Sequence, residues 1–236
     1  MRSFGFSTGA VALADFERAI DLLSTTAATA IELSALRFGE LPALMAAIPT
    51  LDLVKYKYVS VHAPGAFSAA EEPQVVELLQ AAADREWNIV LHPDTVHDHA
   101  VWAPFGSLLC IENMDRRKPI GRTAAELSRI FERLPDASLC FDFAHARQCD
   151  TSLTEAFWIL EEFATKVAQV HISELDGHSR HVRLSPGGVA ACRSFAEWIP
   201  QDVPLIIEAP VEPHEIEEEI ARTLDALTPR LAVAAA

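Results

Sequence analysis

Six short apolar runs in this chain end on a carboxylate or an imidazole: Val59-Ser60-Val61-His62, Ile89-Val90-Leu91-His92, Leu109-Cys110-Ile111-Glu112, Leu139-Cys140-Phe141-Asp142, Val167-Ala168-Gln169-Val170-His171 and Leu205-Ile206-Ile207-Glu208. Runs of this length and composition suit strands buried on both faces. An ionisable group at the end of a buried strand is costly unless something compensates it, and a divalent cation held by N and O donors is a common solution. The pattern points to a metal site assembled from many strand ends.

Strand-like runs recur near 3–7, 29–34, 58–62, 88–92, 107–112, 138–142, 167–172 and 204–208. They alternate with amphipathic stretches such as 12–23, 71–86, 123–134, 152–165 and 214–227. This alternation predicts βα units around a parallel sheet. Eight units in 236 residues predict an α/β protein with one (β/α)8 TIM barrel domain over 1–236. An open doubly wound sheet fits less well, because no G-x-G-x-x-G turn follows the first strand. The acidic run 215–219 reads as the first turn of a solvated helix, where negative charge is favourable. The tail 231–236 is expected to fray.

Composition narrows the partners. With 34 acidic against 19 basic residues the formal charge is −15, which repels phosphate backbones and argues against a nucleic-acid partner. The four cysteines, at 110, 140, 149 and 192, form no C-x-x-C pair and read as small buried hydrophobes in a reducing, cytoplasmic setting. The first nine residues turn polar and glycine-rich too early for a signal peptide, and no run approaches the ~20 apolar residues of a membrane span.

In a barrel the C-terminal ends of all eight strands converge on one face. Two further histidines join the strand-end residues there: His145 in Asp142-Phe143-Ala144-His145, and His181 after the seventh strand. The chain resembles the xylose isomerase-like TIM barrels, which include sugar and sugar-phosphate isomerases and epimerases and the apurinic endonucleases of the endonuclease IV type. The resemblance spans nearly the whole chain. Its carriers are Val61-His62-Ala63-Pro64, Leu91-His92-Pro93, Ile111-Glu112-Asn113-Met114, Phe141-Asp142-Phe143-Ala144-His145, Val170-His171-Ile172-Ser173-Glu174, His181 with Pro186-Gly187-Gly188, and Ile206-Ile207-Glu208.

The resemblance implies that Glu112, Asp142, His171 and Glu208 hold a central divalent metal: Mn, Zn, Co or Fe. In endonuclease-type members a glutamate at the position of Glu112 bridges to a second metal held by two histidines, here His62 and His92. A third metal there uses two histidines, matched by His145 and His181, and an aspartate whose place is taken by Ser179. A hydroxyl in place of an anionic ligand weakens such a site, so one ion is firmly expected, a second is open and a third is not expected. Members of this family often pair, which makes a homodimer a further expectation.

Glu112 and Glu208 come from the fifth and eighth strands. Two carboxylates flanking a bound substrate can move a proton off and onto a carbon beside a carbonyl while a metal polarises the oxygens. The expected reaction is therefore isomerisation or epimerisation of a small sugar, sugar phosphate or sugar-like acid. Glu174 and Arg180 resemble the His-x-x-Glu and following arginine of ketose epimerases and are candidate substrate contacts, as are Asn113 and Arg116. Arg116-Arg117-Lys118, Arg180, Arg183 and the Pro186-Gly187-Gly188 turn gather cations and backbone N–H groups near the expected mouth, which would suit an anionic substrate. Two alternatives use the same ligands: hydrolysis of a phosphoester or another metal-assisted reaction such as a lyase, and an iron-holding redox protein. His97, Asp98 and His99 lie past a strand end and read as structural.

Overall fold

The computed structural model describes residues 2–227. All eight expected strands form: β1 (Phe4–Ser7), β2 (Ala30–Ser34), β3 (Tyr58–His62), β4 (Asn88–Leu91), β5 (Leu109–Glu112), β6 (Ser138–Asp142), β7 (Val167–Ile172) and, after a small hairpin, β10 (Leu205–Ile207). They close into one parallel barrel in the order β1-β10-β7-β6-β5-β4-β3-β2. The hairpin, β8 (Glu174–Leu175) against β9 (His181–Val182), is antiparallel and separate.

Side-chain parity explains how the barrel is filled. Ile89, Leu91, Leu109, Ile111, Leu139, Phe141, Val170 and Ile172 pack in the main core under the helices. The intervening positions face the lumen, as successive side chains in a strand must alternate. There Val90, Cys110 and Cys140 form a small apolar plug of their own. Two residues above them on the same faces stand His92, Glu112 and Asp142, and His62 and His171 follow Ser60 and Gln169 in the same way. Lumen parity therefore sends every strand-end ligand candidate to one layer.

Close strand approach is built in at position 5. A Cβ on Gly5 would stand 1.7 Å from the carbonyl oxygen of Ala30, a distance that any side chain forbids, so glycine lets β1 sit against β2.

Among the described residues the helices are α1 (Thr8–Ala12), α2 (Phe16–Ser24), α3 (Leu41–Ala47), α4 (Glu72–Ala83), α5 (His99–Trp102), α6 (Ala124–Phe131), α7 (Phe143–Cys149), α8 (Thr154–Glu162), α9 (Pro186–Phe195) and α10 (Ile216–Ala226). Two expectations need correction. The stretch 12–23 does not form one helix, because Leu13 adopts φ 54°, ψ −126° and Asp15 starts α2 afresh by accepting from the Arg18 amide. Pro186-Gly187-Gly188 is not a turn at the mouth of the cavity. It opens α9, with proline in the first turn and the Ser185 hydroxyl accepting from Gly188 N. The tail 231–236 lies outside the described residues.

Candidate metal centre

Glu112, at the end of β5, is buried and ringed by imidazoles. Its Oε2 lies 3.2 Å from His62 Nε2 and 3.1 Å from His92 Nε2, and its Oε1 lies 3.2 Å from His145 Nδ1 and 3.4 Å from His171 Nδ1. His171 Nδ1 also faces Glu208 Oε2 at 3.4 Å and Asp142 Oδ2 at 3.9 Å. Ligand atoms of Glu112, Asp142, His171 and Glu208 fall within 4.8 Å of one another, as do those of His62, His92 and Glu112. The structure thus brings together the four central candidates and the His62–His92 pair.

Local structure fixes these side chains. Asp142 ends β6 and is also the N-cap of α7, its Oδ1 accepting from His145 N at 2.6 Å. That bond leaves Oδ2 for the centre. His62 Nδ1 donates to the Ala63 carbonyl at 2.7 Å, so Nε2, turned to Glu112, is the nitrogen that would coordinate once its proton is displaced. His145 has the opposite arrangement: its Nδ1, the nitrogen near Glu112, lies 3.0 Å from the Asn113 carbonyl, an acceptor only. His181 Nδ1 pairs with Ser173 Oγ at 2.7 Å and is 3.7 Å from Glu208.

The sequence reading missed Glu32. This residue of β2 is fully buried one layer below the ligand tier, paired in register with Ser60. Its Oε2 is 3.1 Å from His171 Nε2 and accepts from Gln169 Nε2 at 2.6 Å. Tyr58 donates to Gln169 Oε1 and in turn accepts from Asn88 Nδ2, so a polar chain crosses the lumen beneath the centre. A carboxylate acceptor on Nε2 leaves Nδ1 as the nitrogen His171 turns to the cluster, an arrangement that suits a carboxylate–histidine–metal triad. The lone Glu within Ala30-Ile31-Glu32-Leu33 was the available signal.

Burial and mutual charge distort the titration of the cluster. Burial alone would lower the imidazoles, but the hydrogen bond to Glu112 and the charges of Glu32 and Glu208 lift His62 to about 9. Asp142 and Glu112 lift His145 to about 10 in the same way. Burial lowers His92 and His181. Asp142 is pushed up to about 8 by burial, with Glu112 and Glu208 adding to the rise against the pull of His145. Burial opposes ionisation of Glu112 and Glu208 too, but their histidine neighbours prevail and hold both carboxyls well below the usual range.

These groups fit a divalent cation. Asp142 Oδ2 and Glu208 Oε2 are buried and make no hydrogen bond, and His92 Nδ1 is likewise unpartnered. A buried polar atom left in that state is costly, more so when charged, and a cation among mixed N and O donors removes the cost.

Of the candidate substrate contacts, only Arg180 reaches the cavity over this cluster, a space of about 410 Å³. Asn113 is buried and spent on β6, donating to the Asp142 carbonyl and accepting from its amide, both at 2.8 Å. Glu174 accepts from Arg147 at 2.7 Å and from Ser185 N at 2.8 Å. With Arg116 it lines a separate cavity of about 270 Å³. Arg183 is also not at the mouth: it pairs with Glu215, Glu218 and Glu219 around α10. The cations that do line the mouth are matched by acids, Arg117 by Asp115, Lys118 by Asp94 and Arg180 by Asp176, so the expected cationic patch is neutralised. His97 hydrogen-bonds the Phe67 carbonyl through Nε2 and gives its amide to Glu72, outside the cavity.

The opposite wall is apolar and exposed. Leu13 after α1 and Leu36 after β2 line the cavity with Ala10, Ala35, Met114 and Pro210. Leu13 is 69 % exposed and Leu36 45 %. The backbone of Leu13 occupies a region that glycine normally fills, at a cost of about 1–3 kcal/mol.

No protein-family model matches the chain, and no curated protein matches it by sequence. Solved structures do share its fold. The 3-keto-D-glucoside 4-epimerase YcjR from E. coli aligns over 94 % of this chain and 98 % of its own, with TM-score 0.61 and 17 % identity. A xylose isomerase domain protein from Alicyclobacillus acidocaldarius aligns over 96 % and 98 %, with TM-score 0.62 and 15 % identity. AsbF from Bacillus anthracis, described as a probable 3-DHS dehydratase, aligns over 97 % and 100 %, with TM-score 0.57 and 11 % identity. The shared fold is a (β/α)8 barrel, and at these identities the likeness speaks for the fold alone.

Proposed function

We propose that this xylose isomerase-like barrel is a divalent-metal-dependent isomerase or epimerase that moves a proton on a carbon beside the carbonyl of a small sugar-like molecule. The observation that carries the reading is the convergence of Glu112, Asp142, His171 and Glu208 at the floor of the mouth cavity, two of them with buried, unbonded oxygens. Glu112, Asp142, His171 through Nδ1, and Glu208 would hold the ion. When bound, it supplies polarisation of the substrate's carbonyl and hydroxyl oxygens.

The protein's own groups supply the rest. Glu208 belongs to both the cluster and the cavity wall, so its carboxylate can take a proton from a substrate carbon seated there and return it. Glu112 can do the same from β5, three strands away around the barrel. Asp142 and His171 are fully buried and serve to orient. The epimerase among the structural neighbours agrees with this reading, and the absence of an unpaired cation at the described mouth favours an uncharged substrate over a phosphorylated one.

The test is hydrogen exchange in deuterated water, followed by NMR, for a panel of aldoses, ketoses and keto sugars with Mn-, Co- or Zn-loaded protein. Exchange at the carbon beside the carbonyl, reduced about a hundredfold or more in Glu208→Gln, supports the reading. Exchange undiminished in that variant refutes the assigned role.

A second reading rests on His62 and His92, both within 3.2 Å of one oxygen of Glu112. A second ion there would make Glu112 a bridge and suit hydrolysis of a phosphoester. Elemental analysis after purification without added metal or chelator separates the two: about one ion per chain supports the first, and two ions with phosphoesterase turnover support the second.

A further inference from the structure

The mouth cavity has two unlike halves. Its floor holds the carboxylates and imidazoles, and its β1–β2 side is a wall of Ala10, Leu13, Ala35 and Leu36. The polar side chains on that side are few and turned inward: Ser7 and Ser34 are buried and bond each other at 2.5 Å, and the buried Thr8 accepts from Ser34 N through Oγ1. A hydroxyl group placed against this wall would find few partners among the described residues. An apolar group would cover two leucines that water now reaches.

Leu13 makes the point sharper. Glycine would take its backbone conformation at less strain, and the fold does not need a leucine side chain there for packing, since most of that side chain is exposed. A strained, exposed apolar residue on the rim of a cavity is a placement whose benefit lies in binding.

Resting on the metal-centre reading above, we propose that the substrate is an uncharged hydroxylated carbonyl compound carrying an apolar substituent, with its oxygens toward Glu208 and the floor and its substituent against Leu13 and Leu36. The occupant is a small molecule because the wall is continuous with the ligand cluster in one cavity of about 410 Å³, the size range of small-ligand sites. The neutralised cations across the mouth, Arg117, Lys118 and Arg180 with their aspartates, leave the substituent no charge to answer.

Two metal-chelating probes that differ only in tail length test this, acetohydroxamate and hexanohydroxamate, titrated calorimetrically into Mn-loaded protein. A fully buried methylene is worth roughly fourfold in affinity, so the four extra methylenes, partly covered, are expected to tighten binding by about tenfold or more. Leu13→Gly and Leu36→Ser are each expected to cut that ratio to about threefold or less. Leu13→Gly should at the same time raise the melting temperature, because glycine relieves the backbone at φ 54°. A purely structural leucine would not show loss of tail preference with gain of stability.

If acetohydroxamate binds and the longer tail gives no gain, or the gain survives both substitutions, the proposed substituent site is wrong while the metal centre stands. If neither probe binds metal-loaded protein, the metal-centre reading falls and this one with it. If the wild type is a dimer in sedimentation, Leu36→Ser a monomer, and the tail ratio the same in both, the wall is covered by a second copy and the proposal is overturned.

Discussion

The two flanks of Glu112 carry the same residue type and behave differently. On one, His62 and His92 both turn Nε2 to a single oxygen of Glu112, and His62 has its other nitrogen tied to a carbonyl, which leaves the facing nitrogen able to coordinate. On the other, the nitrogen that His145 turns to Glu112 is the one that donates to the Asn113 carbonyl, and the nitrogen that His181 turns to Glu208 is the one paired with Ser173, so neither ring offers these carboxylates its free nitrogen. Ser179, where the resemblance to endonuclease-type barrels would put a third ligand, accepts instead from Gln148 at 2.8 Å. Histidine count is therefore a poor guide to metal count. The atom each ring presents, fixed by the bond its other atom makes, decides which flank can hold an ion.

The most severe way to break this comparison is to remove the residue both flanks share. Glu112→Gln is expected to lower turnover by about a thousandfold and to weaken metal retention on both sides, measured by kinetics and elemental analysis; normal turnover would dismiss Glu112 as a centre. Next, Glu32→Gln is expected to weaken metal binding about 10–100-fold without unfolding the chain, seen in competition with a chelator alongside thermal denaturation. An unaltered affinity would mean that His171 needs no partner below it. His62→Ala should lose whatever ion the first flank holds and keep the central one, so stoichiometry falls by that ion alone. Ser179→Asp, which restores a carboxylate to the second flank, should add at most one weakly held ion under excess Zn or Co. His97→Ala, outside the cavity, should leave metal content and turnover within about twofold of wild type.

The barrel was legible because its eight strands are short, apolar and regularly spaced, and each strand expected from the periodicity is present with boundaries shifted by a residue or two. The central ligand candidates were legible for the same reason: they stand where apolar runs stop. Glu32 was hidden because it sits inside a run, where a charge looks like an interruption, and its value appears only when β2 and β7 face each other across the lumen. Asn113, Glu174 and Arg116 stand beside ligand candidates in sequence, but strand alternation and the β8–β9 hairpin turn them to other tasks. The exposure of Leu13 could not be read at all, since an apolar residue after an alanine-rich stretch suggests continuation of a helix. Only the backbone shows the break.

Asp142 answers to two masters with its two oxygens, one fastened to the first turn of α7 and one open to the centre. A glutamate there could still coordinate but would overreach its own helix amide, and an asparagine or serine could still cap but would forfeit the charge. Drift at this position is thus checked from both sides, and a chain with no metal to hold would still be kept near aspartate or its capping equivalents by the helix. An acidic residue surviving there in a distant relative would testify to the helix as readily as to the ion.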